Sequence, residues 1–221
     1  MHIPDGIIDG STSAGYAAVA AGGLAVALRR TGAYLSEREV PLAALVAAFV
    51  FAAQMVNFPV IAGMSGHLLG GVLAAVLVGP AAAFVVLTVV LLVQGLVFAD
   101  GGLSALGLNV VNMALVGAVG GYALFVVVGK VLGGSRRRVV VAAAVAALVS
   151  VPLAAASFVL EFAIGGMADV SIGKVAAAMI GTHVLIGVGE AIITGVVVGA
   201  VMAGRPDLVF GARRLRSEVP A

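Results

Sequence analysis

The chain has 221 residues, 62% hydrophobic and 10% charged, where soluble domains carry roughly 25% charged residues. Its formal net charge is only +2, which gives no nucleic-acid surface, and it has no cysteine, which excludes disulfides, thiolate-bound zinc and iron–sulfur clusters. The composition is that of an integral membrane protein, and the apolar runs predict an all-α bundle of helices of about 20 residues.

The first six residues, MHIPDG, are polar and turn-forming, with no basic n-region or apolar core of a signal peptide ahead of them. A first apolar run covers 13–28 and stops at Arg29 and Arg30. After the polar stretch TGAYLSEREV, Pro41 suits the first turn of a second span that runs to about Val56. NFPVIAGMSG reads as a Gly/Pro-punctuated loop delivering His67. A short third span covers 67–78 and ends at Gly79–Pro80; a fourth runs from Ala81 to Phe98. The loop ADGGLSALG leads to a fifth span over 106–129, closed by Lys130. GGSRRR, with Arg136, Arg137 and Arg138, precedes a sixth span over 139–163. GGMADVSIGK precedes a seventh over 176–202. One membrane domain, 1–221, is therefore predicted: an N-terminal arm over 1–12, about seven transmembrane helices over 13–202, and a basic tail over 203–221.

Seven spans put the two ends on opposite sides. The loops after spans one, three, five and seven hold Arg29, Arg30, Arg38, Lys130, Arg136, Arg137, Arg138, Arg205, Arg213, Arg214 and Arg216, which is 11 of the 12 Lys and Arg; only Lys174 lies opposite. The positive-inside rule then predicts a cytoplasmic C-terminus and an external N-terminus in a multi-pass protein of the cell membrane.

That topology brings the Met1–His2 end, the His67 loop, the Asp100 loop and the Asp169 loop to the outer side. His2 is bulky, so Met1 is expected to be retained with a free amine. The amine, the Met1–His2 amide and the His2 imidazole offer up to three nitrogens to one cation, and His67 a fourth. Planar or tetragonal nitrogen sites favour Ni(II) or Cu(II), and imidazole also suits zinc and cobalt. The same residue types also fit a frayed terminal His2 and a satisfied helix-end His67.

MHIPDG, NFPVIAGMSGHLLGGVLAAVLVGP, LLVQGLVFADGGLSALGLNVVNMA and GTHVLIGVGEAIITG, in this order, resemble the CbiM/NikM family. These are substrate-binding membrane subunits (S components) of energy-coupling-factor (ECF) transporters for cobalt and nickel. The matching blocks run from Met1 to about Thr194. The resemblance implies an N-terminus inserted into the bundle from outside. It implies that the ion is held by the Met1 amine, the His2 backbone nitrogen, the His2 imidazole and His67. It further implies a transmembrane coupling subunit, two cytoplasmic ATPases and often a small accessory membrane subunit. No cofactor is expected beyond the transported Co2+ or Ni2+, with a slight lean to cobalt drawn from the family.

Other polar residues have two readings. Asn57, Ser65, Gln94, Asn109 and Asn112 lie in the outer parts of their spans, and some are expected to orient the ligating imidazoles; helix-to-helix hydrogen bonding is the alternative. Asp5 and Asp100 are expected to cap turns that position the arm. His183 and Glu190, seven residues apart, fall on one face of span seven. Glu190 either attracts the cation or, the favoured reading, locks helices through a bond to His183. Glu161 adds negative potential at the entrance or marks the interface. The small-residue faces Gly117–Gly121, Gly195–Gly199 and Ala14, Ala17, Ala18, Ala21, Ala25 pack internally or dock a partner membrane subunit.

No G-x-x-x-x-G-K-[ST] is present, so energy for uptake would come from other chains, and no catalysis is expected. A membrane metalloenzyme using His2, His67 and Glu190 is a rival without an H-E-x-x-H motif; a passive channel or secondary transporter is another, without a continuous polar path.

Overall fold

In the computed structural model, residues 1–37, 39–133 and 137–217 are described; the topology signals Arg38 and Arg136 and the last four residues lie outside them. The helices are α1 (Gly10–Tyr34), α2 (Val40–Gln54), α3 (Gly71–Val78), α4 (Pro80–Val97), α5 (Leu106–Val110), α6 (Gly121–Val131), α7 (Arg137–Gly165), α8 (Ile172–Gly204) and α9 (Phe210–Ser217). A π-helical stretch, Val111–Gly120, joins α5 to α6. Strands β1 (Asn57–Ile61) and β2 (Met64–His67) form an antiparallel hairpin.

Five segments are long and apolar enough to cross a membrane: α1, α4, the continuous Leu106–Val131, α7 and α8. Their polarity is inside out relative to a soluble bundle. On α8, Leu185, Ile192 and Val196 are exposed, whereas His183, Glu190 and Thr194 are buried. Lipid solvates the apolar face, so polar groups must find partners within the bundle.

The third expected span is corrected by the structure. α3 has eight residues and rises only about 12 Å, well short of a bilayer. Every residue of it is buried, so it is core and not a lipid-facing helix. The stretch expected to be a loop ahead of it is the hairpin, turned by Ala62 and Gly63 at φ of 50° and 81°. Both central residues at positive φ match the right-handed twist of the strands. Gly70, at φ 71°, makes the corner into α3; a Cβ there would lie 2.7 Å from Val50 Cγ2. α1 also continues past Arg29 and Arg30 to Tyr34, because arginine is a good helix former and the helix outlasts its apolar run.

Loops that share an end are tied together. At one end, Asp9 N–H donates to Gly165 O (2.8 Å), Met167 N–H to Ile7 O (2.9 Å) and Gly102 N–H to Ile3 O (2.8 Å). At the other, the Tyr34 hydroxyl donates to Val78 O (3.3 Å) and accepts from Ala82 N–H (2.9 Å), and Arg213 pairs with Glu39 at 2.6 Å. Within 204–213 the chain packs back on the bundle: Val209 and Ala212 are buried, and Phe210 packs on Tyr34 with ring centroids 5.4 Å apart.

Candidate metal centre

The arm reaches the interior as residues 1–9, and backbone bonds hold it along its length. Asp9 starts α1, accepting at Oδ1 from the N–H groups of Ser11 and Thr12, both at 2.9 Å. Asp5 Oδ1 accepts from Ser104 N–H (2.8 Å) and Ser104 O–H (2.6 Å), bonds that hold its carboxyl below the usual range. Ile3 N–H donates to Asn109 Oδ1 (3.0 Å), and Asn109 Nδ2 donates back to Ile3 O (3.3 Å). His2 forms a bridge to Ser65 of β2, whose N–H donates to His2 O (3.4 Å).

This threading buries Met1 and Ile3 completely and leaves His2 only 3% exposed. The Met1 amine nitrogen meets His67 Nε2. His67 Nδ1 lies 2.7 Å from Leu68 O. A carbonyl only accepts, so Nδ1 carries the proton and the Nε2 lone pair faces the amine. The His2 ring lies 4.4 Å from the His67 ring, tilted by 33°. Its Nε2 faces Asp100 Oδ2 across 3.4 Å, and neither of its ring nitrogens has a hydrogen-bond partner among the described residues. Gly101, at φ 88°, permits this approach; a Cβ would sit 3.0 Å from His2 Nδ1.

The electrostatics favour neutral donors. Burial lowers the amine well below its ordinary value of 8.0, and burial followed by the adjacent amine pushes His2 down to about 2. Burial raises Asp100, opposed by the amine and by Asn57. An uncharged amine and uncharged imidazoles, all with lone pairs, are ligands for a borderline transition-metal dication. Among the described residues no three His, Cys, Asp or Glu side chains gather as a metal site. The nitrogens that converge are those of Met1 and His67, with the His2 ring 4.4 Å from the His67 ring.

Of the five polar residues, some of them expected to orient the imidazoles, none bonds a ring nitrogen of His2 or His67 directly among the described residues. Asn109 grips the arm. Asn57 Nδ2 donates to Asp100 Oδ2 (3.3 Å), two steps from His2. Ser65 acts through its backbone, and its hydroxyl has no partner among the described residues. The Gln94 side-chain amide is likewise unpartnered, while its carbonyl accepts from Asp100 N–H (3.0 Å). Asn112 Nδ2 donates to Glu161 Oε2 (2.8 Å), and Glu161 is fully buried, not at an entrance. His183 does not bond Glu190: its Nδ1 faces Met179 O (2.7 Å), and Glu190 accepts from backbone N–H groups of Leu69 and Gly70.

Sequence reasoning missed Met113. Its sulfur lies 3.9 Å from the Met1 amine and its side chain is fully buried. The only signal is its place in the π-helical stretch, a geometry frequent at functional sites; in sequence it is one methionine in an apolar run.

Long lipid-facing helices around a buried nitrogen cluster define a multi-pass membrane protein built to handle a soft or borderline cation. The family model described as "Cobalt uptake substrate-specific transmembrane region", CbiM, matches residues 2–208, and the chain belongs to that family. It is 36% identical over 210 residues to a protein of Haloquadratum walsbyi named for metal transport, covering 95% of this chain and 94% of that one. It is 35% identical over 226 residues to the fused nickel transport protein NikMN of Rhodobacter capsulatus, covering 96% of this chain and 65% of the relative. A solved transition metal transporter matches 99% of this chain and 100% of its own, with a TM-score of 0.87 and 28% identity. The chain is thus a membrane protein of cobalt/nickel uptake, a transport protein working with other transporter components.

Proposed function

We propose that this chain captures Co2+ or Ni2+ with high affinity from outside the cell, as the substrate-specific subunit of an ECF-type transporter. The Met1 amine, the deprotonated His2 backbone nitrogen, the His2 imidazole and His67 Nε2 hold the ion. The carrying observation is the meeting of the Met1 amine with His67 Nε2 inside the bundle, 66 residues apart in sequence. With Nε2 of His2 turned to Asp100, Nδ1 is free to close a chelate ring with the backbone nitrogen of the same residue.

Charge distribution supports the orientation: the late part of α1, the end of α6, the start of α7 and the residue after α8 carry Arg29, Arg30, Lys130, Arg137, Arg138 and Arg205, at the end of the bundle opposite the arm, so the arm faces outward. A transmembrane coupling subunit and two cytoplasmic ATPases then reorient the loaded chain, with a small accessory membrane subunit beside it.

The experiment fuses one serine ahead of Met1 and measures Co2+ and Ni2+ binding by calorimetry, with intact mass establishing the mature first residue. Loss of binding in the extended protein, with its fold and expression retained, is expected. Unchanged binding would overturn the reading. Competition between the two ions on the native protein decides the preferred cargo.

A further inference from the structure

Glu190 lies on α8, and neither of its oxygens bonds a side chain in the contacts it makes with the corner after β2. Oε2 accepts from Leu69 N–H at 2.6 Å and Oε1 from Gly70 N–H at 2.7 Å. These lengths match or fall just below those of charge-assisted N–H to carboxylate bonds. The backbone around them is held from the opposite side as well. Gln54 Nε2 on α2 donates to Leu69 O at 2.7 Å, and His67 Nδ1 donates to Leu68 O at 2.7 Å.

These four bonds fall on two consecutive peptide units. A trans peptide is planar, with its C=O and N–H pointing in opposite directions. Leu68 C=O and Leu69 N–H belong to one such plane: Glu190 takes its N–H, and the imidazole of His67 gives to its C=O. Leu69 C=O and Gly70 N–H belong to the next: Glu190 takes its N–H, and Gln54 gives to its C=O. Turning the first plane over would present an N–H to His67 Nδ1, expel its proton and move it to Nε2, the nitrogen that faces the Met1 amine.

We infer that Glu190 is a positioning residue for ion capture, acting through the Leu68–Leu69 peptide to lock His67 in the Nδ1–H tautomer. It is a carboxylate–peptide–imidazole relay. Metal-ligating histidines commonly pass their second N–H to a carboxylate or carbonyl that raises ligand basicity. Here both partners are present in series, one polarising the other. Gln54 keeps the second plane from following a flip of the first. The relay links α2 and α8 to the site with no side chain of either touching the ion, and it rests on the reading of His67 as a ligand given above.

The test begins with native protein, ion-free and labelled with ring-15N histidine, using His67→Ala to assign the His67 signals. Nitrogen shifts typical of the Nδ1–H tautomer are expected for His67. Glu190→Gln keeps the size but sets an amide N–H against a backbone N–H. It is expected to give a tautomer mixture at His67 and to weaken Co2+ binding by ~10–100-fold. Gln54→Leu frees only the Leu69 carbonyl and is expected to weaken binding less, with the His67 tautomer mostly kept. A Glu190 that merely held helices together would lower thermal stability and leave the ring-nitrogen shifts unmoved, which overturns the inference. An Nε2–H tautomer in native protein overturns it too, and needs no variant to fold. Native protein that shows the relay but binds neither Co2+ nor Ni2+ would remove the functional reading, with the tautomer lock intact.

Discussion

Asn109 holds Ile3 by both of its backbone groups, accepting from the N–H at 3.0 Å and donating to the C=O at 3.3 Å. This is the pairing one strand makes with another, supplied by a single side chain of α5. It places the arm so that Met1, two residues earlier, ends beside His67. On the proposed reading arm and site are one device, since the Met1 amine meets His67 Nε2 through the seated arm.

Asn109→Leu should release the arm. It leaves the Ile3 N–H and one side of its carbonyl unsatisfied in a buried place, a cost of ~1–3 kcal/mol. If arm seating and ion capture are coupled, that cost appears as a loss of ~5–150-fold in Co2+ affinity. Calorimetry checks the affinity, and protease cleavage within the first nine residues checks the arm.

Gly101→Ala tests the fit against His2. The glycine has φ 88°, and its Cβ would lie 3.0 Å from His2 Nδ1 and 3.3 Å from Asn109 Nδ2. Alanine is strained there and pushes on the two groups that seat the arm. Expected is loss of most ion binding in a protein that still expresses and inserts, since the bulk of the bundle is untouched. Binding equal to native would mean that His2 does not need this approach.

Much of the chain can be read before folding because lipid simplifies it. Apolar runs end where Arg29, Lys130 or Pro80 end them, and pairing of loop ends follows from counting runs. α3 defeats that counting: its eight apolar residues are buried by protein on all sides, and periodicity cannot tell that from burial in lipid. The hairpin is hidden too, since Pro59 interrupts β1 and the turn uses Ala62 at positive φ. In the site, Met1, His2 and His67 stand out because they are rare chemistry at a chain end and a loop. Glu190 stands out as a buried acid, but its partners are backbone amides of Leu69 and Gly70, which no side-chain pattern can announce. Met113 carries no charge and no motif.

Met113→Leu conserves volume, so stability should change by less than about 1.5 kcal/mol. It removes the polarisable sulfur 3.9 Å from the Met1 amine. A soft thioether beside the four nitrogens should favour the more thiophilic ion. The variant is expected to bind Co2+ and Ni2+ a few-fold less well, and to shift the visible absorption of the bound Co2+. An unchanged spectrum would place the sulfur outside the ion's reach.

Acid should empty the site through the arm. Burial lowers the amine well below 8.0 and lowers His2 from 6.5 to about 2. Both groups are bases that stay neutral when seated and take up protons when the arm is free. The released state therefore binds more protons, and seating grows stronger as pH rises. As pH falls, the loss begins near 8, where the free amine protonates, and steepens below 6.5, where free His2 joins it. Each group contributes up to about tenfold per pH unit in its window. Competition with the ion adds to the same trend, since a proton and the ion seek the same lone pairs. Co2+ affinity measured from pH 8.5 to 5.5 should thus fall along a slope that starts near one proton, from the His2 backbone N–H that leaves on binding, and approaches three protons at the acid end. A slope that stays at one proton or less across that range would show that neither the amine nor the imidazole is released or ligating.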